Sequence, residues 1–273
     1  MRLLFLGDVC GRPGRSVVTR LLPDLRRRWA LDCVVINGEN AAGGFGITEA
    51  ICDELIEAGA DAVTLGNHAW DQREAMVFIE RQPRLVRPVN FARGAPGRGA
   101  ALVEVSGGRR VLVINAIARV FMGLADDPFG AVEKELEACP LGLACDAVIV
   151  DFHGEATSEK QAMGYFCDGR ASLVVGTHTH VPTADHRILP AGTAYQSDAG
   201  MCGDYQSILG CERGEPLRRF LEATPGSRFE SASGPGTLSG VAVETDDATG
   251  LAVRVARVIL GPELENAQPD FWT

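Results

Sequence analysis

The chain has 273 residues, 46% of them hydrophobic and 23% charged, with a net charge of −10 and a pI near 5.0. That length allows a substantial core and the balance is ordinary for a folded protein. No Ser/Gly linker or charge block divides it, so one domain over residues 1–273 is expected. The apolar runs are far too short to span a bilayer, and the acidic balance argues against duplex nucleic acid as a partner.

In chain order, Arg2 to Gly7, Asp32 to Asn37 and Asp61 to Gly66 are apolar and β-prone, each followed by polar or Gly-containing residues and then a helical pattern. The first run has the look of a signal peptide, but it stops at Gly7-Asp8 and is read as a strand. Val17, Val18, Leu21, Leu22, Leu25 and Trp29 recur at helical spacing; Pro23 is expected to kink or split that helix, and Arg26, Arg27 and Arg28 to form its solvated end. Thr48 is the expected N-cap of a helix from Glu49 to Ala58 that Gly59 stops. Arg81 to Gly99, rich in Pro, Gly and Arg, predicts a strand toward Asn90 and an irregular loop. Ala100 to Val105 and Arg110 to Asn115 predict a hairpin turning at Gly107-Gly108. Ala147 to Phe152 and Ser172 to Gly176 repeat the buried-strand pattern around a helix from Ser158 to Cys167, and Thr237 to Glu244 with Leu251 to Ile259 predict a closing antiparallel hairpin. Early βα units and later hairpins together point to an α/β fold of two packed mixed sheets flanked by helices. The eight cysteines form no CxxC pair and mostly sit among apolar or small residues, which predicts reduced thiols in a cytoplasmic protein.

Four of the five histidines lie in short patterns that end apparent strands: Gly66-Asn67-His68, Asp151-Phe152-His153-Gly154 and Gly176-Thr177-His178-Thr179-His180. Gly7-Asp8 and Asn37-Gly38-Glu39-Asn40 add carboxylates and amides at equivalent places, where α/β proteins build their sites. Singly, each has a bland reading: Asp8 as a turn or cap residue, His153 as a histidine bonded at a sheet end. An HxH pair puts both rings on one face of extended backbone, while a turn aims them at two neighbouring metals. Five donor-bearing patterns after five hydrophobic runs together favour a metal site.

The order Gly-Asp, Gly-Glu-Asn, Gly-Asn-His, His, Gly-x-His-x-His resembles the calcineurin-like metallophosphoesterase superfamily. Leu6 to Gly11, Asn37 to Gly44, Gly66 to Asp71, Asp151 to Glu155, Gly176 to Pro182 and Asp198-Ala199-Gly200-Met201 are similar to its bacterial YmdB-like cyclic-nucleotide phosphodiesterases, over almost the whole chain. The resemblance implies a four-layer αββα sandwich, two divalent or mixed-valence metal ions, iron or manganese in preference, and a homo-oligomer. Cys10 stands where most of the superfamily has a histidine, and Glu39 where most has a bridging aspartate. In the subgroup the asparagine after the glutamate fills the missing ligand position, so Asn40 takes that role by resemblance, with Cys10 as a soft ligand the lesser alternative. Carried over, one metal is held by Asp8, Glu39, Asn40 and His180, the other by Glu39, Asn67, His153 and His178. His68 becomes the catalytic proton donor, and Asp71, close in sequence, is expected to orient it.

The implied reaction is hydrolysis of a 2′,3′- or 3′,5′-cyclic nucleotide, or another small phosphodiester, by a metal-bridging hydroxide with His68 protonating the leaving oxygen. A phosphomonoesterase or nuclease with the same centre, and a regulatory or scaffold protein with a sensory metal site, are the rivals. A structural zinc site fits poorly with so oxygen-rich a set. Arg87 to Arg98, Phe121 to Phe129 and Met201 to Tyr205 read as plain surface loops in the first place, with rim or lid loops the alternative.

Overall fold

β1 (Arg2–Leu6) is followed after Gly7 by the two-residue β2 (Asp8–Val9); the computed structural model describes residues 1–224 and 226–272. α1 (Gly11–Arg28) then leads to β3 (Cys33–Asn37), α2 (Glu49–Glu57) to β4 (Ala62–Thr64), and the single-turn α3 (Ala75–Phe78) to β5 (Leu85–Val86). β6 (Ala100–Glu104) and β7 (Arg110–Ile117) make the expected hairpin around a 3₁₀ turn. α4 (Pro128–Ala138), β8 (Ala147–His153), α5 (Thr157–Phe166) and β9 (Leu173–Thr177) follow. β10 (Arg187–Ile188), β11 (Ala194–Gln196), β12 (Met201–Cys202) and α6 (Gly214–Glu222) precede the closing hairpin of β13 (Leu238–Thr245) and β14 (Ala252–Leu260).

Two six-stranded sheets result, ordered β14-β13-β1-β3-β4-β5 and β10-β11-β9-β8-β7-β6, with β2 and β12 paired separately. Both are mixed. β1, β3, β4 and β5 run parallel beside the antiparallel β13 and β14, and β7, β8, β9 and β11 run parallel between antiparallel edges. Side-chain alternation sets the layers: Leu3, Phe5 and Val35 of the first sheet pack with Val113, Ile149 and Val175 of the second, while Leu4, Leu6 and Ile36 turn outward to α1 and α2. On the far side Ile114, Val148 and Val150 pack against Val132 of α4 and Met163 of α5. The architecture is therefore the αββα sandwich. Because both faces of each sheet are covered, the strands are continuous apolar runs rather than alternating ones, and each fully buried Leu or Phe contributes about 1.5–3 kcal/mol.

Several expectations are corrected. Pro23 does not split α1, which continues through it to Arg28; it lies on the solvent side, where water can satisfy the carbonyl that lacks its N–H partner, and Val17, Val18, Leu22, Leu25 and Trp29 hold the helix to the sheet. Arg26 is no solvated end but forms a 2.8 Å ion pair with Asp61. The strand toward Asn90 is only Leu85–Val86. The loop after it is wound around the buried Arg87, whose guanidinium donates to the carbonyls of Pro88, Ala95, Pro96 and Gly97. Thr48 caps α2 as expected, its hydroxyl accepting from Ile51 N. All eight cysteines are free thiols, and no helix among the described residues is long and apolar enough to cross a membrane.

Candidate metal centre

The donor-bearing patterns meet at the C-terminal ends of the parallel strands. Asp8 lies in β2, Glu39 and Asn40 follow β3, Asn67 and His68 follow β4, His153 ends β8, and His178 and His180 follow β9. Asp8, Glu39, Asn40 and His153 are each at most 2% exposed. Gly66 permits the close approach of β4, since a Cβ there would overlap the Glu39 carboxylate and the His153 ring.

Four of the residues converge on one point. His153 Nε2 lies 2.8 Å from Asn67 Oδ1, 3.1 Å from Glu39 Oε1 and 3.1 Å from His178 Nδ1. On its other side His153 Nδ1 is 2.9 Å from Thr177 Oγ1; that hydroxyl donates its own proton to Asp151 Oδ1 at 2.7 Å, so it accepts from the imidazole. Nδ1 therefore keeps its proton, and Nε2 is the nitrogen whose proton a metal would displace to gain a lone pair for the cluster.

A second group adjoins the first through Glu39. Asn40 Nδ2 lies 3.2 Å from Glu39 Oε1 and 3.1 Å from His180 Nε2, which is itself 3.8 Å from Asp8 Oδ1. His180 Nδ1 donates to the Leu209 carbonyl at 2.9 Å, so its Nε2 carries a lone pair inward. Asn40 as placed turns its amide nitrogen to the group; presenting oxygen there requires its side-chain amide to rotate. His178 and His180 have φ of 101° and 64°, in the left-handed region that costs a non-glycine residue about 1–3 kcal/mol. The turn between them is what lets the two rings serve different groups.

The charges are distributed to match. Burial raises the Asp8 carboxyl despite the opposing pull of His180 and His153. Glu39 is also disfavoured as an anion by burial, but the adjacent His153 overrides this and brings it down to about 2. His153 shows the mirror effect: burial opposes its charge, yet Glu39, Asp8 and Asp151 raise it to about 9. Burial and the charge on His153 push His178 down to about 3, keeping it neutral with a free lone pair.

A metal fits this arrangement on two observations. Asp8 Oδ1 is buried with no hydrogen-bond partner among the described residues, although a buried carboxylate oxygen normally has one. At His153 Nε2, three acceptors crowd a nitrogen that can offer them only one proton, a convergence that a cation satisfies. Glu39, His153 and His178 already bring one donor atom each within 4.8 Å of one another, and mixed imidazole, carboxylate and amide donors suit iron, manganese or zinc. Cys10 lies in the wall of the cleft that Glu39 and His178 also line, where burial pushes its thiol up to about 12 and disfavours the thiolate.

His68 stands apart from both groups. Its backbone N–H donates to Glu39 Oε2 at 2.9 Å, its Nδ1 meets Asp71 Oδ2 at 2.8 Å, and the Phe45 ring packs edge-on 5.2 Å away. It lines the same cleft, of about 440 Å³, with Glu39, Asn40, His178 and His180. Cys10, Gly44, Glu155, Thr179 and Val181, which lie inside the donor motifs, complete the wall with Phe45, Leu209, Cys211 and Phe229, which lie outside them, whereas Arg87 to Arg98, Phe121 to Phe129 and Met201 to Tyr205 contribute nothing to it. Met201 and Cys202 are instead buried in the strand pair behind Asp8. For Phe45 the available signal was Gly43-Gly44 before it, an open loop beside a donor motif. The fifth histidine, His186, lies away from the cleft.

Two facing mixed sheets with helices outside, and nitrogen and oxygen donors gathered where their parallel strands end, are the metallophosphoesterase fold. Residues 4–258 match the model of the YmdB-like protein family, and the chain belongs to that family. It is 49% identical to the 2′,3′-cyclic-nucleotide 2′-phosphodiesterase of Bacillus subtilis (strain 168), over 96% of this chain and 98% of that one. A solved structure of a hypothetical protein from Thermus thermophilus is 44% identical with a TM-score of 0.89, covering 96% of this chain and 99% of its own. That of a novel phosphatase from Mycoplasma pneumoniae is 32% identical with a TM-score of 0.88, covering 96% and 93%.

Proposed function

We propose that this protein hydrolyses cyclic nucleotides, 2′,3′-cyclic ones in the first place, at a dinuclear metal centre with His68 as the proton donor. Family membership and 49% identity to an enzyme of that class make the chain a phosphoric diester hydrolase. For the centre itself, the observation that carries the reading is the convergence of Glu39, Asn67 and His178 on His153 Nε2, next to the orphaned Asp8 Oδ1. Glu39, Asn67, His153 and His178 would hold one ion, and Asp8, Glu39, Asn40 and His180 the other, with iron or manganese preferred. Such ions supply charge screening at the phosphate and a lowered pKa for coordinated water.

The chain's own groups do the rest. Glu39 stays ionised at any working pH, and its two oxygens serve the metal groups and the His68 backbone together. Asp71 accepts from His68 Nδ1–H and orients the ring, so that in its doubly protonated form His68 would give the Nε2 proton to the departing ribose oxygen and keep the Nδ1 proton hydrogen-bonded to Asp71. Phe45 covers one side of that imidazole and limits its contact with water.

The test is a substrate panel of 2′,3′-cyclic AMP, 3′,5′-cyclic AMP, a simple monoester and RNA, run with defined iron or manganese on wild type and His68→Ala. The expected result is turnover of the cyclic nucleotides by wild type and about 10²- to 10⁴-fold less by His68→Ala at unchanged metal content. Hydrolysis of no phosphodiester with either metal overturns the proposal.

A further inference from the structure

Asp198-Ala199-Gly200-Met201 has no part in either donor group, yet its carboxylate is buried directly behind them. The Asp198 and Lys160 side chains are 2% and 1% exposed, with Oδ2 and Nζ 2.8 Å apart. The two carboxylate oxygens take three donors: Oδ2 accepts from Lys160 Nζ and from Thr179 N at 3.0 Å, and Oδ1 accepts from Gly200 N at 2.8 Å. Thr179 is the residue between His178 and His180, both held at positive φ. Gly200 in turn accepts from Asp8 N through its carbonyl at 3.1 Å, beside the pairing of β12 with β2. One buried carboxylate thus fixes the backbone beneath three donors from two separate segments. A buried ion pair is weak grounds for a stabilising role, since well-packed apolar residues often serve stability as well. An apolar pair cannot accept these hydrogen bonds.

We infer that Asp198, held and neutralised by Lys160, is a positioning residue for the metal centre: it keeps the 178–180 turn in its strained form and Asp8 in register, and so sets metal affinity. This rests on the ligand sets proposed above. Asparagine at 198 preserves volume but has a single acceptor oxygen, so whichever way its amide turns, Thr179 N or Gly200 N loses its partner. Asp198→Asn alone strands the lysine charge and endangers folding; Lys160→Met/Asp198→Asn removes both charges and keeps the volume.

Both variants and wild type are stripped of metal and titrated with manganese by calorimetry, with melting curves recorded alongside and kcat and KM for 2′,3′-cyclic AMP measured across manganese concentrations. The double variant is expected to melt cooperatively, to bind at least one manganese equivalent about 10- to 100-fold more weakly than wild type, and to recover kcat in excess manganese with KM for the nucleotide unchanged. A folded double variant that binds manganese with wild-type affinity overturns the inference. Should wild type bind two manganese ions but cleave no cyclic nucleotide, the proposed function fails while the binding comparison still decides the role of Asp198.

Discussion

Asp151 sits between the two sheets under the donor cluster, and replacing it by asparagine should separate stability from metal binding. Its Oδ2 accepts from Thr64 Oγ1 at 2.6 Å and Asn37 Nδ2 at 3.0 Å in the first sheet, and its Oδ1 from Thr177 Oγ1 at 2.7 Å in the second. Burial pushes this carboxyl from 3.8 up to about 6, although His153, Thr177, Thr64 and Asn37 all favour the anion. A folded-state pKa above the unfolded value means the native protein holds the proton more tightly. The associated stability is complete below pH 3.8 and is lost as pH rises through about 6. A difference of about two units at roughly 1.4 kcal/mol each puts the loss at about 3 kcal/mol above that range. Asp151→Asn carries no charge at any pH. The stability of metal-free Asp151→Asn relative to wild type should therefore rise by up to about 3 kcal/mol between pH 4 and pH 7.5, on top of a pH-independent cost from the donors that its amide NH₂ must face.

The same change should weaken the metal site, because an amide NH₂ must face either Thr177 or the Thr64–Asn37 pair, all of which now donate. His153 then loses the chain of hydrogen bonds that keeps its proton on Nδ1, and manganese affinity should fall about 10- to 100-fold. Urea unfolding of the metal-free proteins at pH 4.5 and 7.5, with a manganese titration at pH 7.5, checks both halves. A variant that is less stable than wild type by the same amount at both pH values, or one with undiminished manganese affinity, refutes the reasoning.

Asp71→Asn should lower kcat about tenfold, some 1.4 kcal/mol of barrier, through loss of the His68 ring orientation. The pair is half-exposed, so melting temperature and metal content should not move; unchanged turnover removes Asp71 from the mechanism. Gly66→Ala should cost about 1–3 kcal/mol and reduce metal uptake, because its methyl group meets the Glu39 carboxylate and the His153 ring; a variant that melts and loads like wild type contradicts that geometry. In the metal-free protein His153 is raised to about 9, so a metal entering below that pH must displace its proton. Manganese affinity should rise by about tenfold per unit between pH 6 and 9, with proton release seen as a buffer-dependent binding enthalpy. Affinity that is flat over this range rules out His153 as a ligand.

The strands that carry the donors were legible because their signal is local: an apolar run buried on both faces, then Gly with a carboxylate, amide or imidazole. Sheet order was not, since β1 pairs with β3 on one side and with β13, some 240 positions away in register, on the other. Nor were α4 and α6. In α6 the large apolar residues Leu217, Phe220 and Leu221 are 50%, 84% and 76% exposed, so its pattern points to no core. The part of the cleft wall outside the motifs was hidden for a related reason, because Phe45, Leu209 and Phe229 come from three distant segments and share no spacing.

The polar residues inside the strands held more information than their spacing revealed. Asn37, Thr64, Asp151 and Thr177 interrupt otherwise apolar runs, and a buried polar group must find a partner; in this fold they find one another across the gap between the sheets. Asp198 obeys the same rule with Lys160 and the backbone. Asp151 and Asp198 both belong to the half of the molecule that follows β7, and both reach back to the half that begins the chain, Asp151 directly to Asn37 and Thr64 and Asp198 through Gly200 to Asp8. Donors from two sheets are thus held in place by charges that never enter the cleft. This is why a sequence can name the donors one by one while the groups that aim them emerge only once the sheets are face to face.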